Sequence, residues 1–167
     1  IGLIYNYKAR VKLQFAQLEA KEKALQKMAY FDGLTNILNR KIFIELVQER
    51  IIQYGENRDD FYIIFLDIDD FKNVNDKMGH YYGDLLLKEL SYRIVRHLSE
   101  RDSIGRLGGD ELGLLIYAQS DSQITEILHK IKEEILRVYR FEGKELQATV
   151  SMGAARFPAD GHITTEL

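Results

Sequence analysis

The sequence predicts an α+β sandwich: a mixed, mainly antiparallel central sheet flanked by helices and preceded by a long N-terminal helix. "FYIIFLDID", residues 61–69, is an unbroken apolar run with β-branched and aromatic content, which reads as a strand buried on both faces. "RLGGDELGLLI", residues 106–116, sets Gly-Gly between two strand-like runs, the signal of a tight hairpin whose central residues need positive φ. Amphipathic stretches separate these strands, giving an order β-α-α-β-β-α-β after the leading helices. Such an order suits a mixed sheet with helices packed on it better than a doubly wound one.

The elements follow in order. From about 7 to 30 the chain has no proline or glycine and is rich in Ala, Lys, Gln, Glu and Leu, which predicts a helix. Ile4, Val11, Leu18 and Leu25 recur every seven residues, with Lys8, Phe15, Glu22 and Ala29 as a mixed second seam. Two readings fit: a weak parallel coiled coil, or a lone amphipathic helix packed on its own domain. The helix should stop near Tyr30-Phe31-Asp32-Gly33, and a second should run over about 39–54 with Ile42, Phe43, Leu46, Val47 and Ile51 on one face. After the strand at 61–69, helices are expected over 71–77 and 83–97, then the hairpin about Gly108-Gly109, a helix over 122–139 and a strand over 146–155.

With 167 residues and 46% hydrophobic content, the chain can bury one core, so we expect one domain over 31–167 and a linker helix over 1–30. A net charge of -3 argues against extended binding to a nucleic-acid backbone. Zero cysteines exclude disulfides and thiolate metal sites and suit a reducing compartment. No apolar run reaches the roughly 18 residues that span a bilayer. Residues 1–5 followed by Lys8, Arg10 and Lys12 read either as the cytoplasmic exit of a membrane helix or as an ordinary linker.

Chemistry concentrates at the hairpin. Asp110-Glu111 put two carboxylates at its lip, and Asp67 and Asp69 end the buried strand. If that strand lies beside the hairpin, Asp67 and Asp110 share one sheet edge and repel unless a cation joins them. Mg²⁺ is commonly held by one or two carboxylates plus substrate phosphates, which matches this ligand supply. Gly108 and Gly109 let phosphates approach the backbone. Asp69 reads instead as the N-cap of the following helix.

"LDIDDFKNVNDKMGHYYGD", "RLGGDEL", the upstream "DGLTNILNR" and the downstream "VSMGAARFPADG" stand in an order that resembles the GGDEF family of diguanylate cyclases, from roughly Tyr30 to the C-terminus. The resemblance implies a ferredoxin-like nucleotide-cyclase palm that condenses two GTP into cyclic di-GMP, with one GTP on each of two facing subunits. It implies two Mg²⁺ (or Mn²⁺) ions per active site, held by Asp67, Asp110, Glu111 and the Ile68 carbonyl. Asp110 or Glu111 would accept the proton of the attacking 3′-hydroxyl. Lys72 matches a phosphate-neutralising lysine, Asn75 and Asp84 match guanine readers, and His80 lies in the same nucleotide-binding segment. A carboxylate at Asp84 can accept from both N1-H and the exocyclic amine of guanine, a pair adenine does not offer. The helix at 1–30 would then join two copies and pass on the state of an upstream sensor in the cytoplasm, as a bistable element.

The sequence departs from the family pattern in places. Leu112 stands where the family usually has Phe, a change expected to matter little. Ser99 replaces the arginine of the Arg-x-x-Asp product-inhibition pattern, while Asp102 is retained, so bidentate recognition of cyclic di-GMP there should be lost. The family's last helix has no counterpart before Thr164-Thr165-Glu166-Leu167, so weak turnover and an exposed apolar patch are expected. Two competing functions are an idle GTP-sensing or dimerisation module and a cyclase making cyclic AMP or cyclic GMP; the Gly-Gly-Asp-Glu hairpin argues against the latter.

Overall fold

The computed structural model describes residues 2–57 and 59–160, and the side chains of residues 10, 12–54 and 59–160. The expectations for residues 1–5, for the Ile4 and Val11 side chains of the heptad seam, and for 164–167 lie outside that set. Helix α1 spans Gly2–Tyr30, β1 Leu38–Asn39, α2 Arg40–Asn57, β2 Phe61–Ile68, α3 Phe71–Met78, α4 His80–Val95, β3 Ser103–Arg106 and β4 Glu111–Tyr117. Helix α5 (Asp121–Ile135), a short hairpin of β5 (Tyr139–Phe141) and β6 (Lys144–Leu146), and β7 (Val150–Phe157) complete the fold.

The main sheet has the order β1-β3-β4-β2-β7, with β2 antiparallel to both β4 and β7, β3 antiparallel to β4, and β1 parallel to β3. Without the edge strand β1, this is the ferredoxin-like βαββαβ arrangement that the hairpin and helix order predict. Alternation along β2 sets the core. Tyr62, Ile64, Leu66 and Ile68 are buried with Leu86, Leu90 and Ile94 of α4 and Ile124, Ile131 and Ile135 of α5.

The opposite face departs from the reading of a strand buried on both sides. Among the described residues only α2 covers it, through Phe43 and Val47 packed with Phe61, Leu115 and Phe157. Phe65 stays 46% exposed beside an apolar trough of about 740 Å³ between α2 and the sheet, lined among others by Ile44, Ile51, Ile63, Gly153 and Ala155. Glycine determines how closely α2 approaches. A Cβ on Gly113 would stand 2.5 Å from Phe43 Cε1, and one on Gly105 would stand 2.5 Å from Phe43 Cβ.

Several expected boundaries move. Helix α4 begins at His80, so Gly83 lies inside it rather than starting it, and Gly79 (φ 91°) ends α3 and precedes α4. Ser120 caps α5 by accepting from the Gln123 amide, while Tyr139, expected inside that helix, opens β5 instead. Gly108 and Gly109 do not adopt positive φ; the adjacent pair that does is Glu142-Gly143, at the tip of the unforeseen β5–β6 hairpin. Two positive φ values in succession are what a tight two-residue hairpin demands. The turn geometry expected at Gly108-Gly109 is found at Glu142-Gly143 instead.

Because the Phe43 ring fills the space over Gly113, Gly113→Ala should destabilise the chain by about 1–3 kcal/mol. In urea unfolding the same substitution should cost less in a Phe43→Leu background, where the ring is gone. Equal costs in both backgrounds would show that the ring is not the obstacle.

Candidate active site

Strand register delivers the first acid. Asp67 pairs with Glu111 across β2–β4 and with Ser151 across β2–β7, so it reaches the same sheet edge as Asp110, which immediately precedes β4. Desolvation, the Asp110 charge and the Asp69 charge together hold the Asp67 carboxyl above the usual range. Among the described residues, neither Asp67 nor Asp110 accepts a hydrogen bond or pairs with a cation. Nor do three or more His, Asp or Glu side chains gather into a metal cage among them. An uncompensated carboxylate pair without further protein donors fits a hard divalent ion that takes its remaining ligands from water and phosphate. Ile68 is buried at 1% exposure, its side chain packed into the main core.

Asp69 does not cap α3. Its carboxylate accepts from Thr149 Oγ1 (2.6 Å) and Ser151 Oγ (2.7 Å), bonds that hold it ionised below the usual range and tie β7 to the end of β2. The position before α3 belongs to Asp70, in the left-handed region (φ 53°) with no side-chain cap bond.

The hairpin loop is held by side chains that sequence reasoning missed. Arg106 Nε donates to the carbonyls of Gly108 (3.2 Å) and Gly109 (3.1 Å), and its Nη2 to Gly109 (2.7 Å). Its Nη1 reaches Asp32 Oδ1 at 3.2 Å, while Arg40 Nη1 donates to the Leu107 carbonyl at 3.0 Å. The Glu111 carboxylate folds back over the loop, so that a Cβ on Gly108 would lie 2.5 Å from Glu111 Oε2. Around Gly109 nothing lies within 4 Å of where a Cβ would sit, so that side of the loop is clear although Arg106 occupies the Gly109 carbonyl.

Lys72 and Asn75 lie one turn apart on α3, and His80 and Asp84 on the first turns of α4. The two helices meet closely, for a Cβ on Gly83 would collide with Asn75 Oδ1. Asn75 is thereby set against the turn that carries Asp84, while Lys72, His80 and Asp84 are exposed.

A family model described as "Diguanylate cyclase, GGDEF domain" matches residues 29–167. The chain belongs to the GGDEF family. It is 35% identical to the bifunctional diguanylate cyclase/cyclic di-GMP phosphodiesterase MucR of Pseudomonas aeruginosa, over 95% of this chain and 23% of that protein. It is 31% identical to the cyclic di-GMP phosphodiesterase NbdA of the same organism, over 95% of this chain and 20% of that protein. The chain thus spans under a quarter of these relatives. The crystal structure of the coiled coil and GGDEF domain of DgcB from Caulobacter crescentus, in complex with c-di-GMP, superposes with a TM-score of 0.75 at 28% identity, covering 89% of this chain and 82% of that one.

Within this GGDEF domain the end of α1 is wired to the hairpin loop. Asp32 Oδ1 accepts from the Leu34 and Thr35 amides and from Thr35 Oγ1, while Arg106 bridges Asp32 to the Gly108 and Gly109 carbonyls. The visible signal is the Asp-x-x-Thr spacing in "DGLTNILNR", the pattern of a side chain that caps a turn. Burial opposes the Asp32 charge, but the bonds from Thr35 and Arg106 outweigh it and leave the carboxyl below its ordinary range.

A depressed folded-state pKa stabilises the fold above the unfolded value, about 3.9, and the stabilisation is lost as pH falls through the folded value. Asp32→Asn should therefore cost about 1–2 kcal/mol at neutral pH, with the difference from wild type closing in strong acid. Chemical denaturation across pH 2–7 is the check, and a pH-independent difference would contradict the assignment.

Proposed function

We propose that this GGDEF domain is a diguanylate cyclase module, condensing two GTP into cyclic di-GMP with release of two pyrophosphates. The observation that carries this reading is the unpartnered Asp67–Asp110 pair beside a glycine loop with clear space at the Cβ position of Gly109. Asp67, Asp110, Glu111 and the Ile68 carbonyl would hold two Mg²⁺ or Mn²⁺ ions. When bound, such ions lower the pKa of a 3′-hydroxyl and neutralise pyrophosphate as it leaves. Lys72 adds positive charge toward the phosphates. Asn75 and Asp84 read the guanine edge, Asp84 accepting from N1-H and the exocyclic amine, with His80 at the rim of the same segment.

In each condensation the 3′-oxygen of one GTP attacks the α-phosphorus of the other, the bond to pyrophosphate breaks, and Asp110 or Glu111 accepts the hydroxyl proton. Two copies must face each other for this. Helix α1 supplies a means, since Phe15, Leu18 and Leu25 are each more than 60% exposed and sit on the predicted seams. In this reading the domain is the cytoplasmic output of a longer signalling protein, with a sensor preceding α1.

The alternative, an idle GTP-sensing or dimerisation module, draws support from NbdA, a relative named for phosphodiesterase activity. Incubation with GTP and Mg²⁺, with products resolved chromatographically, separates the two. Cyclic di-GMP should form and fall about a hundredfold or more in Asp110→Ala. GTP bound without product would establish the idle module.

Product should not bind at the position of the family's inhibitory pattern. Asp102 Oδ2 accepts from the Ser99 amide (2.8 Å) and hydroxyl (2.7 Å), and its Oδ1 from the Tyr117 amide (2.9 Å), so both oxygens already have partners and no arginine stands at 99. Calorimetric titration with cyclic di-GMP should show no tight site sensitive to Asp102→Ala; such a site would refute the assignment.

A further inference from the structure

Helix α4 starts without a cap. Gly79 offers no side chain, the first turn carries no acidic residue, and the Tyr82 and Gly83 amides both turn back to the Gly79 carbonyl, at 3.1 and 3.4 Å. With no side-chain cap, this first turn gains from any hold outside the helix. This is also the turn that leads into Asp84 and receives Asn75 over Gly83.

What holds it comes from far along the chain. Tyr81 Oη donates to Glu142 Oε1 at 2.9 Å and Tyr82 Oη to Glu142 Oε2 at 3.4 Å, so one carboxylate spans two successive tyrosines. The tyrosine rings meet edge to face at 5.5 Å, and Lys144 Nζ lies 4.4 Å from the Tyr82 ring centroid. Glu142 occupies the tip of the β5–β6 hairpin, with φ 50° followed by Gly143 at φ 80°. That hairpin pairs only with itself, yet it is rooted in the core through Tyr139 (0% exposed) and Leu146 (7%). It is a short arm with a buried base and a carboxylate at its tip.

We propose that Glu142 is a positioning residue for guanine recognition, holding the first turn of α4 through Tyr81 and Tyr82 so that Asn75 and Asp84 address the same base. The inference rests on the cyclase reading, in which those two residues read guanine. Asn75 and Asp84 come from different helices that turn at Gly79 and pack through Gly83 against Asn75, so their relative placement depends on the angle at which α4 begins. Small displacements of a recognition group are costly out of proportion to the bonds that prevent them. The raised pKa of the Tyr81 hydroxyl, caused chiefly by its bond to Glu142, agrees with a clamp that keeps its proton.

The test uses the 3′-deoxy analogues of GTP and ITP with Mg²⁺, which lack the attacking hydroxyl, so that binding is read without turnover. ITP lacks the exocyclic amine that Asp84 would accept from. Wild type should prefer the guanine analogue. Glu142→Asn, which tolerates the left-handed backbone but is too short to reach the tyrosines, should weaken it about fivefold and the hypoxanthine analogue less, shrinking the preference. Glu142→Gln should keep most of the affinity, because its amide oxygen still accepts, and Tyr81→Phe should lose part of it. Equal weakening of both analogues, or a lower melting temperature with affinities unchanged, overturns the proposal. A wild type with no preference for guanine removes the base-reading premise itself, a failure distinct from a wild type that discriminates and a variant that does so equally well.

Discussion

The register of β2 between β4 and β7 is the constraint on which the site depends. Side chains alternate along a strand, so the register that buries Ile64, Leu66 and Ile68 against α4 and α5 also turns Asp67 to the other face, opposite Glu111 and Ser151. A slip of one residue would bury the acid and expose the core. The apolar pattern that stabilises the fold and the placement of the acid are thus one physical fact. Asp69, bonded to Thr149 and Ser151, locks β7 into the same register at the functional end.

Charge is distributed unevenly over this frame. Away from the hairpin lip, acids find partners: Asp32 with Arg106 and Thr35, Asp60 with Arg156 and Tyr54, Asp69 with two hydroxyls, and all three carboxyls are held below the ordinary range. Asp67 moves the other way, with burial and two acidic neighbours against it. A fold that satisfies these three carboxylates with its own groups and leaves Asp67 beside Asp110 unsatisfied concentrates negative potential at the hairpin lip. That point lies beside a glycine loop shaped by Arg106, and Arg106 also grips the turn where α1 enters the domain. The helix entry and the loop therefore share one guanidinium.

Much of this was legible in the chain because it is local. Strand β2 announces itself by an unbroken apolar run, α1 by composition, and the hairpin by Gly-Gly between apolar segments. The misreadings share one cause, which is that short elements carry no period. Three-residue strands such as β5 and β6 cannot display alternation, so the helical pattern of α5 reads on through Tyr139. The Glu142-Gly143 turn is likewise invisible without flanking strands long enough to mark it. At Gly108-Gly109 the residue type is informative but its purpose differs: room for Glu111 and for a ligand, rather than positive φ.

By itself the sequence determined the order of the main elements, the apolar run that makes β2 and the identity of the acids, since composition and residue chemistry are written in adjacent positions, whereas which face of β2 is covered was left to the docking of the helices. Only the tertiary structure decided that the Asp110 charge acts on Asp67 with no cation from the described residues between them, that Arg106 joins Asp32 to the loop, and that Glu142 reaches Tyr81 from 61 residues away. Those contacts arise when the strands pair and the helices dock, and no local pattern encodes the distance between groups that meet only in the folded chain.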